Sequence, residues 1–215
     1  THSPLTEPLD NGVEICLMSF RPSEEESAHT FLNQLAKGAY PKLSLMINGS
    51  TFGINGTERL QQHLPHLEWC YLPDTIQEGN AFSSFLEAKE VVVGIESPTA
   101  MKGMAELLRP FFPFKTQYLK MPILDAELTK LAISGMLATR ISYINDLANV
   151  AETLGVDILN IRQGMAADSR IGGAYLAPGT GFGGEHFSHD ILMLSSEVEK
   201  SGAKSRLMAQ VWAIN

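Results

Sequence analysis

From Leu124 to Leu154 the sequence runs through about eight helical turns without a proline, and only Gly135 weakens the run. At about 1.5 Å per residue this is a rod of roughly 46 Å, long for a lone small domain. Its apolar residues include Leu128, Leu131, Ile133, Met136, Leu137, Ile141, Ile144, Leu147, Val150 and Leu154. They go round more than one face, so the helix must be covered on several sides. A second copy of the chain is the expected cover, giving a homodimer through the helix around 124–154. A charge at Leu137 or Ile144 is expected to break such an interface. Gly155 reads as the C-cap and DILNIRQGM as a short helix beyond it.

Before this helix the pattern is different. Val13 to Phe20 reads as a buried strand, and Phe31, Leu32 and Leu35 then fall at helical spacing. KLSLMI is a strand opening through NGSTFGING onto the helix ERLQQHL, and LEWCYL is a third strand ending at Pro73. EVVVGI is β-branched and continuous, as expected of a strand covered on both faces. MKGMAELLRPFF is a helix stopping at Pro113, and FKTQYLK is a last strand. Strands alternating with helices predict a parallel α/β sheet over residues 1–121. Residues 122–215 are predicted to be all helical, with a glycine-rich loop (RIGGAYLAPGTGFGG) before two final helices.

Composition narrows the function. With 44% hydrophobic and 19% charged residues the chain is an ordinary globular sequence. A net charge of -8 argues against non-specific nucleic-acid binding, which needs Lys and Arg at phosphates. A local basic pocket for a small anion remains compatible with it. No apolar run is long enough to span a bilayer, so no membrane partner is expected, and the polar start is not a signal peptide. Cys16 and Cys70 lie inside apolar strand-like runs and read as small buried thiols, placing the chain in a reducing cytoplasm.

Four blocks carry more specific information. These are GSTFGINGT, PDTIQEGNAF, AELTKLAISGMLATRISYINDLANVAETLGVD and DSRIGGAYLAPGTGFGGEHFSHD. In order and spacing they resemble segments of the UDP-glucose/GDP-mannose dehydrogenase family. The last resembles that family's signature, in which R-I-G leads to G-x-G-[FY]-G-G-x-C-[FLW]-x-K-D. The resemblance covers nearly the whole chain. It implies that 1–121 is the second half of an NAD-binding Rossmann-like domain and that 122–215 is the helical central domain. NAD is the implied cofactor and a UDP- or GDP-linked sugar the implied partner. The Gly-rich first βαβ unit of such domains is not in this sequence, so the chain alone is expected to hold NAD weakly or not at all.

In that family NAD removes two hydrides from C6 of the sugar, and a cysteine thiolate carries the acyl group between them. The resemblance implies a role for each matching position. Lys130 would stabilise alkoxide and oxyanion, although by itself it reads as a solvated helix lysine. Asp190 would help activate water, or is an ordinary first-turn helix acid. Thr51 would position water near C6, or is a turn residue. Ser50 and Thr51 also fall on the cofactor side of the loop. Glu78 is a second acid near the substrate, or simply a helix start. Arg170 would reach the sugar nucleotide of a neighbouring subunit, or is a surface arginine. Gly181, Phe182, Gly183 and Gly184 form the loop whose amides approach a ligand, or a merely flexible loop.

Four positions depart from the family pattern. His186 stands where the nucleophilic cysteine is expected, and imidazole has no thiol with which to form a thiohemiacetal. His189 replaces a lysine, exchanging a fixed cation for a group partly charged near neutral pH. Asp74 replaces a glutamate, and Ser134 replaces an asparagine one turn from Lys130. Together they imply that four-electron oxidation is impaired. A non-catalytic nucleotide-sugar-binding or dimerisation relative is the alternative. Zinc on His186, His189 and a carboxylate is a further option, for which no third ligand is identifiable. His186 as general base for a single hydride transfer is another.

Overall fold

The computed structural model describes residues 12–38, 40–76, 79–112 and 116–215. The chain packs as two units, Thr1–Lys130 and Leu131–Asn215.

The first unit is a five-stranded sheet in the order β1-β2-β3-β4-β5. The strands are β1 (Ile15–Met18), β2 (Leu45–Asn48), β3 (Glu68–Tyr71), β4 (Glu90–Ile95) and β5 (Gln117–Met121). Helices α1 (Glu25–Lys37), α2 (Gly56–Gln61), α3 (Ala81–Leu86) and α4 (Pro98–Leu108) lie between them. Because side chains alternate along a strand, successive core residues serve opposite faces. Met46 and Trp69 pack with Ala28, Leu32, Leu35 and Leu60 in one core, built on α1 and α2. Leu45, Ile47 and Cys70 pack with Ala100, Met101, Met104 and Leu108 in another, built on α4. Both faces of the sheet are therefore covered, as a doubly wound sheet requires.

The sheet is mixed rather than wholly parallel. β1, β2 and β3 run parallel, as do β4 and β5, but β4 is antiparallel to β3. A parallel neighbour would need a helix packed across a sheet face between the two strands. Among the described residues the one helix there, α3, has six residues and buries none of them, so it cannot serve as that crossover. Three other local expectations also shift. β1 is shorter than Val13 to Phe20 and lies at an edge, where Leu17 is 51% exposed. β4 is only half-covered at Val91 and Val92, while Val93 is buried. α4 ends at Leu108 rather than at Pro113, which lies outside the described residues. Pro110 follows closely and, having no N–H, cannot extend the helical ladder.

α5 (Ile123–Leu154) begins just after Pro122, with its first N–H, that of Ile123, donating to Glu96 Oε1 at 2.9 Å. Gly94 permits this start: a Cβ there would come within 2.9 Å of Ile123 Cα. The helix ends at Gly155, whose φ of 67° suits the C-cap expected there.

The second unit is helical: the rest of α5, then α6 (Ile158–Ala167), α7 (Glu185–Ser201) and α8 (Leu207–Ile214). Its core gathers Ala138, Ile191 and Val211, with Phe182, Phe187 and Met208 packed against it. Ile144 is fully buried within this unit, so it is a core position and not one available to a partner. Among the described residues, no helix is long and apolar enough to cross a membrane. Both cysteines are free thiols, Cys70 buried and Cys16 partly so.

Candidate functional site

In the first unit Ser50, Thr51 and Asp74 sit on loops at the ends of β2 and β3. The loop from Asn48 to Thr57 is held by buried polar bonds. Asn48 Oδ1 accepts the Ser50 N–H at 2.9 Å, and Asn48 Nδ2 donates to Thr57 Oγ1 at 3.0 Å. Ser50 Oγ accepts the Phe20 N–H at 2.8 Å, so the Ser50 hydroxyl is committed to joining two loops. Thr51 is buried beside it. Arg59 donates to the carbonyls of Phe52 and Ile54 and to the Glu25 carboxylate, closing the loop from outside.

Asp74 lies just after β3, where its Oδ1 accepts the Ile76 N–H at 2.9 Å. It borders a cavity of about 510 Å³ whose wall also includes Ser19 and Gly49. These three residues follow the carboxyl ends of β3, β1 and β2, the usual place for a ligand in an open α/β sheet. The remainder of the lining is largely apolar, with Ile15, Leu17 and Phe85 among it. Lys130 stands partly buried on α5. Glu78 lies outside the described residues.

In the second unit Ser134, His189 and Asp190 come together. Ser134 Oγ donates to Asp190 Oδ2 at 2.6 Å, with both residues buried. His189 Nδ1 stands 3.6 Å from Asp190 Oδ1, an ion-pair distance for a protonated ring but too long for a hydrogen bond. His186 is exposed in the first turn of α7, which starts after Gly184. Gly181 and Gly184 both have positive φ, 88° and 81°. Gly183 is exposed, and Phe182 makes tilted ring contacts with Phe187 and Trp212. Arg170 is turned back on Asp168, donating to both carboxylate oxygens, and these bonds lower the Asp168 pKa. Among the described residues no group of three or more His, Cys, Asp or Glu is gathered to hold a metal ion.

Three supports were not picked out by sequence reasoning. Glu127 is 3% exposed, and its Oε1 accepts the Thr57 N–H at 2.7 Å. Arg140 donates to the carbonyls of Ile171, Gly172 and Ala174, shaping the turn before the glycine-rich loop. Asn215 clasps the loop itself, accepting the Phe182 N–H and donating to the Phe182 carbonyl. A Cβ on Gly181 would lie 2.6 Å from Asn215 Oδ1. The available signal was a charged residue inside a largely apolar helix, which marks Glu127 and Arg140 but names no partner for either.

Residues 124–215 match the family model described as UDP-glucose/GDP-mannose dehydrogenase family, central domain. The UDP-glucose 6-dehydrogenase of Pseudomonas aeruginosa is 34% identical over 181 residues, 80% of this chain and 40% of that protein. The one from Rickettsia bellii is 34% identical over 139 residues, 65% of this chain and 32% of its own length. The chain thus spans less than half of these curated relatives. A solved UDP-glucose dehydrogenase from Pyrobaculum islandicum matches 95% of this chain and 50% of its own, with a TM-score of 0.85 and 22% identity. That likeness is one of fold.

Proposed function

Because the chain belongs to the UDP-glucose/GDP-mannose dehydrogenase family, we propose that it serves a nucleotide-sugar 6-dehydrogenase and is impaired in the four-electron step. The observation that carries this reading is the state of the α7 start. His186 is exposed in the first turn, where the motif resemblance would put the family cysteine, and the buried Ser134–Asp190 pair lies nearby in the same unit. Ser134 and Asp190 support a held carboxylate able to take a proton from water. An exposed imidazole can accept a proton but offers no sulfur for a covalent acyl intermediate. Thr51, Lys130 and Asp74 are assigned to water, oxyanion and proton work on the sugar, with Arg170, Phe182 and the loop glycines on the nucleotide sugar.

NAD is the proposed cofactor, and its role would be to accept hydride. The described lining of the 510 Å³ cavity contains no Lys or Arg, so these residues alone do not fit its diphosphate.

A homodimer is the proposed assembly. On the second-unit stretch of α5, Ile133, Met136, Tyr143, Val150 and Leu154 are all exposed and fall at heptad-compatible steps. Large apolar side chains in such a stripe support a partner helix. The free thiols fit a reducing compartment such as the cytoplasm.

The test is NADH absorbance on the longest native polypeptide containing this segment, with UDP- and GDP-sugars plus NAD. Sugar binding by calorimetry without NADH supports an impaired relative, a nucleotide-sugar-binding pseudoenzyme. Sugar-dependent NADH formation overturns the impairment and makes His186 the first residue to mutate. Neither binding nor NADH overturns the reading as a whole.

A further inference from the structure

Thr51 and Lys130 are far apart in sequence, yet one side chain ties their surroundings together. Glu127 stands on α5 three residues before Lys130, within one helical turn. Its Oε1 accepts the Thr57 N–H at 2.7 Å. From Thr57 the bonds continue through its hydroxyl to Asn48, and from Asn48 Oδ1 to the Ser50 N–H, next to Thr51. Every member of this relay is buried.

We infer that Glu127 is a positioning residue that sets the Ser50–Thr51 loop against the Lys130 turn of α5. The inference rests on the dehydrogenase reading only for the roles of Thr51 and Lys130. Stability alone does not account for an acid at this position. A buried carboxylate is costly to desolvate, and Glu127 Oε2 has no hydrogen-bond partner among the described residues. An amide or an apolar residue would fill the same space with less penalty. What the carboxylate adds over an amide, which also has an acceptor oxygen, is a charged acceptor for the Thr57 N–H at the start of α2, aimed from a second element.

The same burial makes the link sensitive to pH. Desolvation raises the Glu127 pKa, opposed by hydrogen bonds from Thr57 and Asn55 and by the charge of Arg59. Around it, Arg59 of α2 is the neighbouring cation, itself paired with Glu25 of α1, and Lys130 follows on α5. Protonation weakens Oε1 as an acceptor, and the change is passed to Thr57, Asn48 and Ser50.

The experiment is an NMR pH titration of the full chain, following the Glu127 carboxyl carbon and the amides of Ser50, Thr51 and Thr57. The three amides are expected to share the Glu127 midpoint. Glu127→Gln, which keeps an oxygen for Thr57, should abolish that shared transition while the remaining spectrum stays folded. Thr57→Val keeps the N–H but removes the hydroxyl, so Thr57 should still follow Glu127 while Ser50 and Thr51 cease to. Amides of Ser50 and Thr51 that do not titrate with Glu127 would overturn the inference. So would a transition unchanged in Glu127→Gln or a Ser50 response that survives Thr57→Val. The readout needs no substrate, so the absence of both sugar binding and NADH formation beside co-titrating amides would reject the functional reading and leave the positioning role standing.

Discussion

The Ser134 hydroxyl donates a 2.6 Å hydrogen bond to Asp190 Oδ2, and both side chains are buried. Serine is shorter than the asparagine expected there by resemblance, and its hydroxyl supplies the donor to Asp190. Ser134→Ala removes that donor and leaves a buried carboxylate oxygen poorer by one bond. The expected loss is about 1–3 kcal/mol of unfolding free energy, measured by urea denaturation. A midpoint and slope matching the parent chain would mean that the bond adds nothing to stability.

His186 is exposed at the N-terminal turn of α7, where helix dipole and accessibility both favour a thiolate. His186→Cys should therefore be alkylated by iodoacetamide at neutral pH well before Cys70. Mass spectrometry of the time course resolves the order. Equal or slower modification at position 186 would contradict the idea that this turn can activate a nucleophile.

Burial, with a smaller push from Glu68, raises the Cys70 thiol to about 12, from an ordinary value of 9.0. The folded value is the higher one, so the proton is held more tightly in the folded state. The stabilising contribution is whole below about pH 9 and is lost as pH climbs towards about 12. Unfolding free energies compared at about pH 8 and about pH 10.5 should fall for the parent and fall less for Cys70→Ala. Parallel slopes would assign the alkaline loss to other groups.

Met136 is 62% exposed on α5 whereas Ile144 is fully buried, so the two positions separate assembly from folding. Met136→Glu should convert a dimer to a folded monomer in light scattering, with circular dichroism unchanged. Ile144→Glu should instead unfold or aggregate the chain, since an unpaired charge would enter the core of the second unit. A Met136→Glu protein that keeps the parent mass would move the interface away from this stripe.

Those substitutions also mark where local reading reached its limit. By sequence Leu137 and Ile144 read as partner-facing because α5 is apolar on several sides, but the pattern alone does not say which side its own chain covers. The packing of Ile191 and Val211 with Ala138 settles that for the second unit, leaving Met136, Tyr143 and Val150 outward. β4 is a similar case. Its β-branched run identified a strand, whereas its direction depended on α3 being too short to cross the sheet.

The sequence by itself determined most of the elements, though not α3, together with the helical second half, the glycine-capped end of α5 and the family, because these follow from periodicity, backbone limits and ordered motifs. It also placed Ser134 and Asp190 in candidate roles. Only the tertiary structure decided that Ser134 bonds Asp190, that Glu127 reaches Thr57, and that Asn215 clasps Phe182. Each of these joins residues distant in the chain through one directional bond of about 3 Å or less, and hydrophobic pattern carries no information about such a pairing.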